Sequence, residues 1–97
     1  MQIRKPNISV FFPCYNDEKV IVTLIEKAIN NLKKVASVWE VIVIDDGSSD
    51  NSREVLTQAA KKYKELRLIF HPKNRGYGGA LKSGFKAAKH DLVFYTD

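Results

Sequence analysis

Two adjacent carboxylates, Asp45 and Asp46, end the apolar run Val41-Ile42-Val43-Ile44, and Gly47, Ser48, Ser49 and Asp50 follow them. Neighbouring carboxylates repel each other unless a cation or hydrogen-bond donors face them. At the carboxyl end of an inner strand, a carboxylate can accept hydrogen bonds from a ribose or a base. Asp-Gly also marks a turn, and Ser48, Ser49 and Asp50 suit the start of a helix. The turn accounts for Gly47 to Asp50, and Asp46 remains the candidate ligand contact.

Three other segments carry residues of the same kind. Pro13-Cys14-Tyr15-Asn16-Asp17 follows a first apolar run. An aromatic ring there can stack on a nucleobase and a carboxylate can take a sugar hydroxyl; the alternative is a proline-containing loop with an Asn or Asp helix cap. Cys14 has no histidine nearby in sequence to activate it as a nucleophile and reads as a small buried thiol. Asn74 to Gly84 is a glycine-rich entry to a helix. It lacks the glycine directly before Lys82 that a phosphate loop needs, and the spacing of the dinucleotide fingerprint. What remains is a helix N-terminus with free amides and Arg75 beside it, an anion site, or a close approach of helix to sheet at Gly78 and Gly84. Asp97 closes the fourth apolar run, on the same edge as Asp46. His71 and His90 lie at element ends without the pairing that metal sites require, and read as structural or solvated.

The elements that position these residues alternate. Ile8 to Phe12 is a strand stopped by Pro13. Ile21, Leu24, Ile25, Ala28, Leu32 and Val35 draw one stripe along a helix from about Asp17 to Ala36, capped by Asn16 or Asp17. Trp39 to Ile44 is a second strand. A second helix, capped by Ser49 or Asp50, turns Val55, Leu56, Ala59, Ala60 and Tyr63 inward. Leu66 to Phe70 is a third strand, ended before Pro72. After Gly76 to Gly79 comes a third helix with Leu81, Phe85 and Ala88 inward, and Leu92 to Tyr95 is the fourth strand. The order β-α-β-α-β-α-β implies parallel pairing through right-handed crossovers. The expected class is α/β, a parallel-sheet, Rossmann-like three-layer sandwich. Ligands of such sheets bind beyond the carboxyl ends of the strands, where all four segments lie.

At 97 residues the chain makes at most one small domain or a piece of a larger one. A strongly apolar fourth strand needs helix cover on both faces, so residues 1–97 are expected to be part of a larger domain. Its exposed edge would then favour self-association. The net charge of +5 is spread over lysines in helical stretches. This describes solvated helix faces rather than a basic tract interleaved with aromatics, and it sets nucleic acid aside. No apolar run approaches the roughly 18 residues that span a bilayer. A single cysteine excludes an internal disulfide and fits a reducing, cytoplasmic setting.

Taken in order, Pro13 to Asp17, Val43 to Asp50, Asn74 to Gly84 and Asp91 to Asp97 resemble the front half of a family 2 glycosyltransferase with the GT-A nucleotide-diphospho-sugar transferase fold. Within that family the chain is most similar to enzymes acting on polyprenyl-phosphate acceptors, such as dolichol-phosphate mannosyltransferases. The resemblance implies a function: transfer of a sugar from a UDP- or GDP-linked donor to an acceptor such as polyprenyl phosphate, in cell-envelope or glycan biosynthesis at the cytoplasmic face of a membrane. It implies that Pro13, Tyr15 and Asp17 line the base and ribose pocket with Ile44 and Asp46, flanked by Asn16 and Arg75. The family usually has glutamate where Asp17 stands, and Glu18 follows it. The resemblance makes Asp97 the first acid of an Asp-x-Asp pair holding Mg²⁺ or Mn²⁺ against the diphosphate, and puts the general base beyond residue 97. The 97 residues are therefore expected to retain part of a nucleotide pocket without transferring sugar. The competing classes are a non-catalytic nucleotide-binding module and a receiver-type phosphoacceptor domain, whose acidic pair ends the first strand rather than the second.

Overall fold

The computed structural model describes residues 5–95. Four strands and three helices alternate: β1 (Ile8–Cys14), α1 (Ile21–Val35), β2 (Trp39–Asp45), α2 (Ser52–Lys62), β3 (Leu66–Phe70), α3 (Gly76–Ala87) and β4 (Leu92–Tyr95). The strands form one sheet in the order β3-β2-β1-β4, and every pairing is parallel. After β3 the chain crosses the sheet to lay β4 against the far side of β1, so the winding direction reverses between β1 and β4. This is the expected three-layer α/β sandwich.

The alternation of side chains along each strand builds the two outer layers. Ile8, Phe12, Val41, Val43 and Leu66 face α1 and α2 and pack with Ile21, Ile25, Ile29, Leu32 and Leu56. Phe11, Ile42 and Ile44 face the opposite way and pack under α3 around Ala80. Fully burying an aliphatic or aromatic side chain of this size contributes about 1.5–3 kcal/mol. Burial on both faces is why β1 and β2 read as continuous apolar runs.

Several element boundaries differ from the sequence expectation: β2 runs on to Asp45 rather than ending at Ile44, and α2 is capped at Asn51 rather than at Ser49 or Asp50. β1 runs through Pro13 to Cys14, with Pro13 paired to Ile44. Helix α1 begins at Ile21, and its N-cap Val20 makes no side-chain cap bond. Asn16 and Asp17 instead shape the turn before it, where the Asp17 carbonyl accepts the Val20 and Ile21 amides. Helix α3 begins at Gly76 and buries Ala80 and Gly84, whereas Phe85 stays half exposed. A Cβ at Gly84 would overlap the Phe11 ring, so the helix approaches the sheet along its smallest residues. Phe85 swings to the side and meets Phe11 edge-on, ring centroids 5.0 Å apart.

At the amino end of the sheet, Glu40 is buried in a polar knot. It accepts from Arg67 Nη1 (2.6 Å), from the Ser9 hydroxyl (2.6 Å) and from the Lys89 amide (2.8 Å). Burial pushes its carboxyl up, but these donors outweigh burial and hold it below its ordinary value. On the α1 face, an apolar groove of ≈ 580 Å³ lies between α1, β1 and the edge strand β4. Among the described residues no helix is long and apolar enough to cross a membrane.

Candidate functional site

The alternation that builds the two layers also separates the two acids. Asp45 turns toward α2, accepting the Ser48 amide (3.3 Å) and hydroxyl (2.5 Å), with Arg53 Nε at 3.8 Å. Asp46 turns toward α3. Its Oδ1 lies 2.7 Å from His71 Nδ1 and accepts the Arg75 amide (2.9 Å), and its Oδ2 accepts the Gly76 amide (3.0 Å). The repulsion expected of an acidic doublet is thus relieved by directing each carboxylate at its own donors. Burial raises the Asp46 pKa, yet the His71 bond and the two amides outweigh it and hold the carboxyl below its ordinary value. An ionised Asp46 requires the proton of His71 on Nδ1. The other ring nitrogen, Nε2, lies 2.7 Å from the Ser83 hydroxyl of α3.

The loops after β1 and β2 are stitched together. Asn16 adopts φ 53°, and its Oδ1 accepts the amides of Ser49 (2.8 Å) and Asp50 (3.3 Å). The Asn16 amide donates to Ser48 Oγ and the Asp17 amide to Ser52 Oγ. Asp50 stands just ahead of the N-cap Asn51 of α2 and accepts the Ser52 amide at 2.9 Å.

Between these loops and the start of α3 lies a cleft of ≈ 290 Å³, lined by Pro13, Tyr15, Asp17, Asp46, Asn74, Gly76, Tyr77 and Ala80. Four of the residues singled out in the sequence, Pro13, Tyr15, Asp17 and Asp46, come together there. Tyr15 is 49% exposed, its ring available to a planar ligand. Asn16 and Arg75 stand beside the cleft without lining it, Asn16 as the stitch between loops and Arg75 through its backbone bond to Asp46. Ile44 lies beneath, buried with Phe11 and Ala80. Asp97 lies outside the described residues. Among the described residues, no group of three or more His, Cys, Asp or Glu side chains gathers to hold a metal. Cys14 is buried, and burial pushes its thiol up to about 11, as befits an inert core residue.

His71 was not recognised as part of this region from sequence. The signal was the strand register: Asp45 pairs with Phe70, so the next residue on each strand, Asp46 and His71, must also be neighbours.

The sequence model of the glycosyl transferase family 2 matches residues 9–97. An undecaprenyl-phosphate 4-deoxy-4-formamido-L-arabinose transferase of Pectobacterium atrosepticum is 41% identical over 93 residues, which is 94% of this chain and 28% of that protein. The dolichyl-phosphate beta-glucosyltransferase of Saccharomyces cerevisiae is 38% identical over 96 residues, 93% of this chain and 29% of that protein. Among solved structures, a mannosyltransferase from Pyrobaculum calidifontis in complex with GDP-Man and Mn²⁺ superposes with a TM-score of 0.72 at 26% identity, covering 92% of this chain and 26% of that one. Glucosyl-3-phosphoglycerate synthase from Mycobacterium tuberculosis, in complex with Mn²⁺, UDP and phosphoglyceric acid, gives 0.73 at 28% identity, covering 95% and 32%. The chain spans less than a third of the length of these curated relatives. Its four-stranded parallel sheet with flanking helices is consistent with the N-terminal half of the GT-A fold of those solved structures.

Proposed function

Because the chain belongs to glycosyl transferase family 2, we propose that it is the nucleotide-binding part of an enzyme that moves a sugar from a UDP- or GDP-linked donor to a polyprenyl phosphate. The observation that carries the proposal is the cleft itself, where an exposed aromatic ring and two carboxylates from two neighbouring strand ends face one space. Tyr15 would stack on the base, Asp17 would take a ribose hydroxyl, and Asp46 would use its remaining acceptor capacity on a further donor of the nucleoside. An oxygen of the acceptor phosphate attacks the anomeric carbon, and the bond from that carbon to the diphosphate breaks. The lipid acceptor is supported by the names of the relatives from Pectobacterium and Saccharomyces, and implies work at a membrane face, which we take to be cytoplasmic. The Mn²⁺ of the two solved neighbours supports a divalent cation. The described residues supply no ligand set for it, and Asp97 is its expected first ligand.

The test is calorimetric titration of the full-length protein with UDP and with GDP, each with Mn²⁺, followed by transfer of labelled sugar into lipid-extractable product. The expected result is binding of one nucleotide that weakens by about tenfold or more in Tyr15→Ala, as loss of a base-stacking ring does, and transfer by the full-length protein but not by residues 1–97 alone. Failure to bind either nucleotide, or binding indifferent to Tyr15→Ala, would overturn the reading. Nucleotide binding without transfer by the full-length protein would favour the non-catalytic module.

A further inference from the structure

One imidazole joins both fixed points of the cleft wall. The wall is the first turns of α3, with Gly76, Tyr77 and Ala80 on the cleft. Its near end is held by Asp46, which accepts the Arg75 and Gly76 amides. Its body is held at Ser83, whose hydroxyl meets His71 Nε2 at 2.7 Å. His71 Nδ1 meets Asp46 at 2.7 Å, and the side chain is only 3% exposed. The ring therefore ties β2, β3 and α3 at one point, behind the surface that a ligand would touch.

The hydrogen-bond inventory makes this tie directional. An ionised carboxylate offers about four acceptor sites. In Asp46, Oδ1 takes two donors and Oδ2 takes one, so spare capacity lies mainly on Oδ2. A carboxylate so held cannot rotate to exchange its oxygens without losing His71 or an amide. We propose that His71 is a positioning residue for the donor nucleotide. It fixes the Asp46 carboxylate so that Oδ2 stays available to a hydroxyl or N–H of the nucleoside and the Arg75 and Gly76 amides stay bound to it; the Ser83 bond steadies the packing of α3 without setting affinity. The proposal rests on the nucleotide-binding reading above. It assigns His71 no contact with the ligand.

Two variants separate positioning from packing. In His71→Asn the amide nitrogen overlays Nδ1 and still donates to Asp46, but it cannot reach Ser83. In His71→Gln the amide overlays Nε2 and reaches Ser83, but it leaves Asp46. Ser83→Ala removes the second partner and spares the first. The full-length protein and each variant are titrated with UDP and GDP in the presence of Mn²⁺, with thermal unfolding measured alongside. The expected result is nucleotide affinity within about threefold of wild type for His71→Asn and Ser83→Ala, and about tenfold or more weaker for His71→Gln, the scale of one hydrogen bond to a charged group. A structural role alone would move the unfolding temperatures without this division of affinities. Should His71→Gln not fold, His71→Ala replaces it against His71→Asn, and the ring ¹⁵N resonances of His71 in the wild type are followed as nucleotide is added. Equal loss in the Asn and Gln variants, no loss in either, or ring resonances that ignore the nucleotide would overturn the proposal. A wild type that binds neither nucleotide would overturn the function it rests on as well.

Discussion

Gly47 sits where the second strand hands over to the site, and its replacement by alanine has a calculable cost. The residue has φ +75°, and a Cβ there would stand 2.6 Å from the Asn74 amide nitrogen and 2.7 Å from the Lys73 carbonyl carbon. Real Cβ atoms essentially never approach backbone below 3.0 Å, so residues 73–76 must retreat by a few tenths of an ångström. That loop donates the Arg75 and Gly76 amides to Asp46 at 2.9 and 3.0 Å. Left-handed backbone costs alanine roughly 1–2 kcal/mol, and weakening bonds to a charged acceptor adds up to about 1.5–3 kcal/mol. Gly47→Ala is therefore expected to lose up to about 2.5–5 kcal/mol. Gly76 provides the control, with φ +78° and nothing within 4 Å of its Cβ position. Gly76→Ala should lose only the backbone part, about 1–2 kcal/mol. Urea unfolding followed by circular dichroism measures both, and in a domain of this size each kcal/mol moves the melting temperature by about 4–8 °C. Nucleotide titration should show weaker binding for Gly47→Ala, because that variant displaces the loop that holds Asp46. Equal destabilisation by the two substitutions would refute the reasoning, since it would mean that the Gly47 contact constrains nothing.

Three other outcomes follow from the packing. All three partners of Glu40 are donors, so the amide of Glu40→Gln must set its NH₂ against at least one of them, and a loss of about 1–3 kcal/mol is expected. Glu40 has a folded pKa below its ordinary 4.5, so its carboxylate stabilises the fold above that pH and ceases to as pH falls through the folded value; the gap between wild type and Glu40→Gln should close on acidification in denaturation curves, and a gap that widens would contradict this. Gly84→Ala forces a methyl into the buried Phe11 ring and should cost about 1–3 kcal/mol in the same measurement, with an unchanged midpoint refuting the close approach. The Cys14 thiol, raised to about 11, should react with a disulfide reagent at pH 8 about two orders of magnitude more slowly in the native protein than in urea, and rapid native labelling would show the residue to be accessible.

The sheet was legible because its inner strands β1 and β2 are buried on both faces and all four apolar runs are bounded by turn residues, as Val41-Ile42-Val43-Ile44 before Asp45 illustrates. Helix α3 was less so. Ranking its residues by apolar size turns Leu81, Phe85 and Ala88 inward; Leu81 and Ala88 do pack against the inner cluster, but contact distance favours small residues, so Ala80 and Gly84 are the ones buried and Phe85 stays half exposed. The start of α1 is less legible because Asn16 and Asp17 have the composition of caps, while Asn16 spends its side chain on the amides of Ser49 and Asp50, more than thirty residues away. Three of the four segments marked in the sequence, those after β1, after β2 and at the start of α3, meet at the cleft, since local composition marks strand ends; Asp97 of the fourth lies outside the described residues. His71 was not, because nothing local distinguishes a histidine after a strand, and only the pairing of β2 with β3 brings it to Asp46.

The divergence of Asp45 and Asp46 bears on how acidic doublets at strand ends are weighed. Successive residues of a pleated strand point to opposite layers, and here the doublet sends its two charges to different partners. Asp45 serves the interior turn, while Asp46 lines the cleft and anchors the start of α3. A change at position 45 therefore strikes the turn before α2, whereas a change at position 46 strikes the cleft and the helix entry behind it.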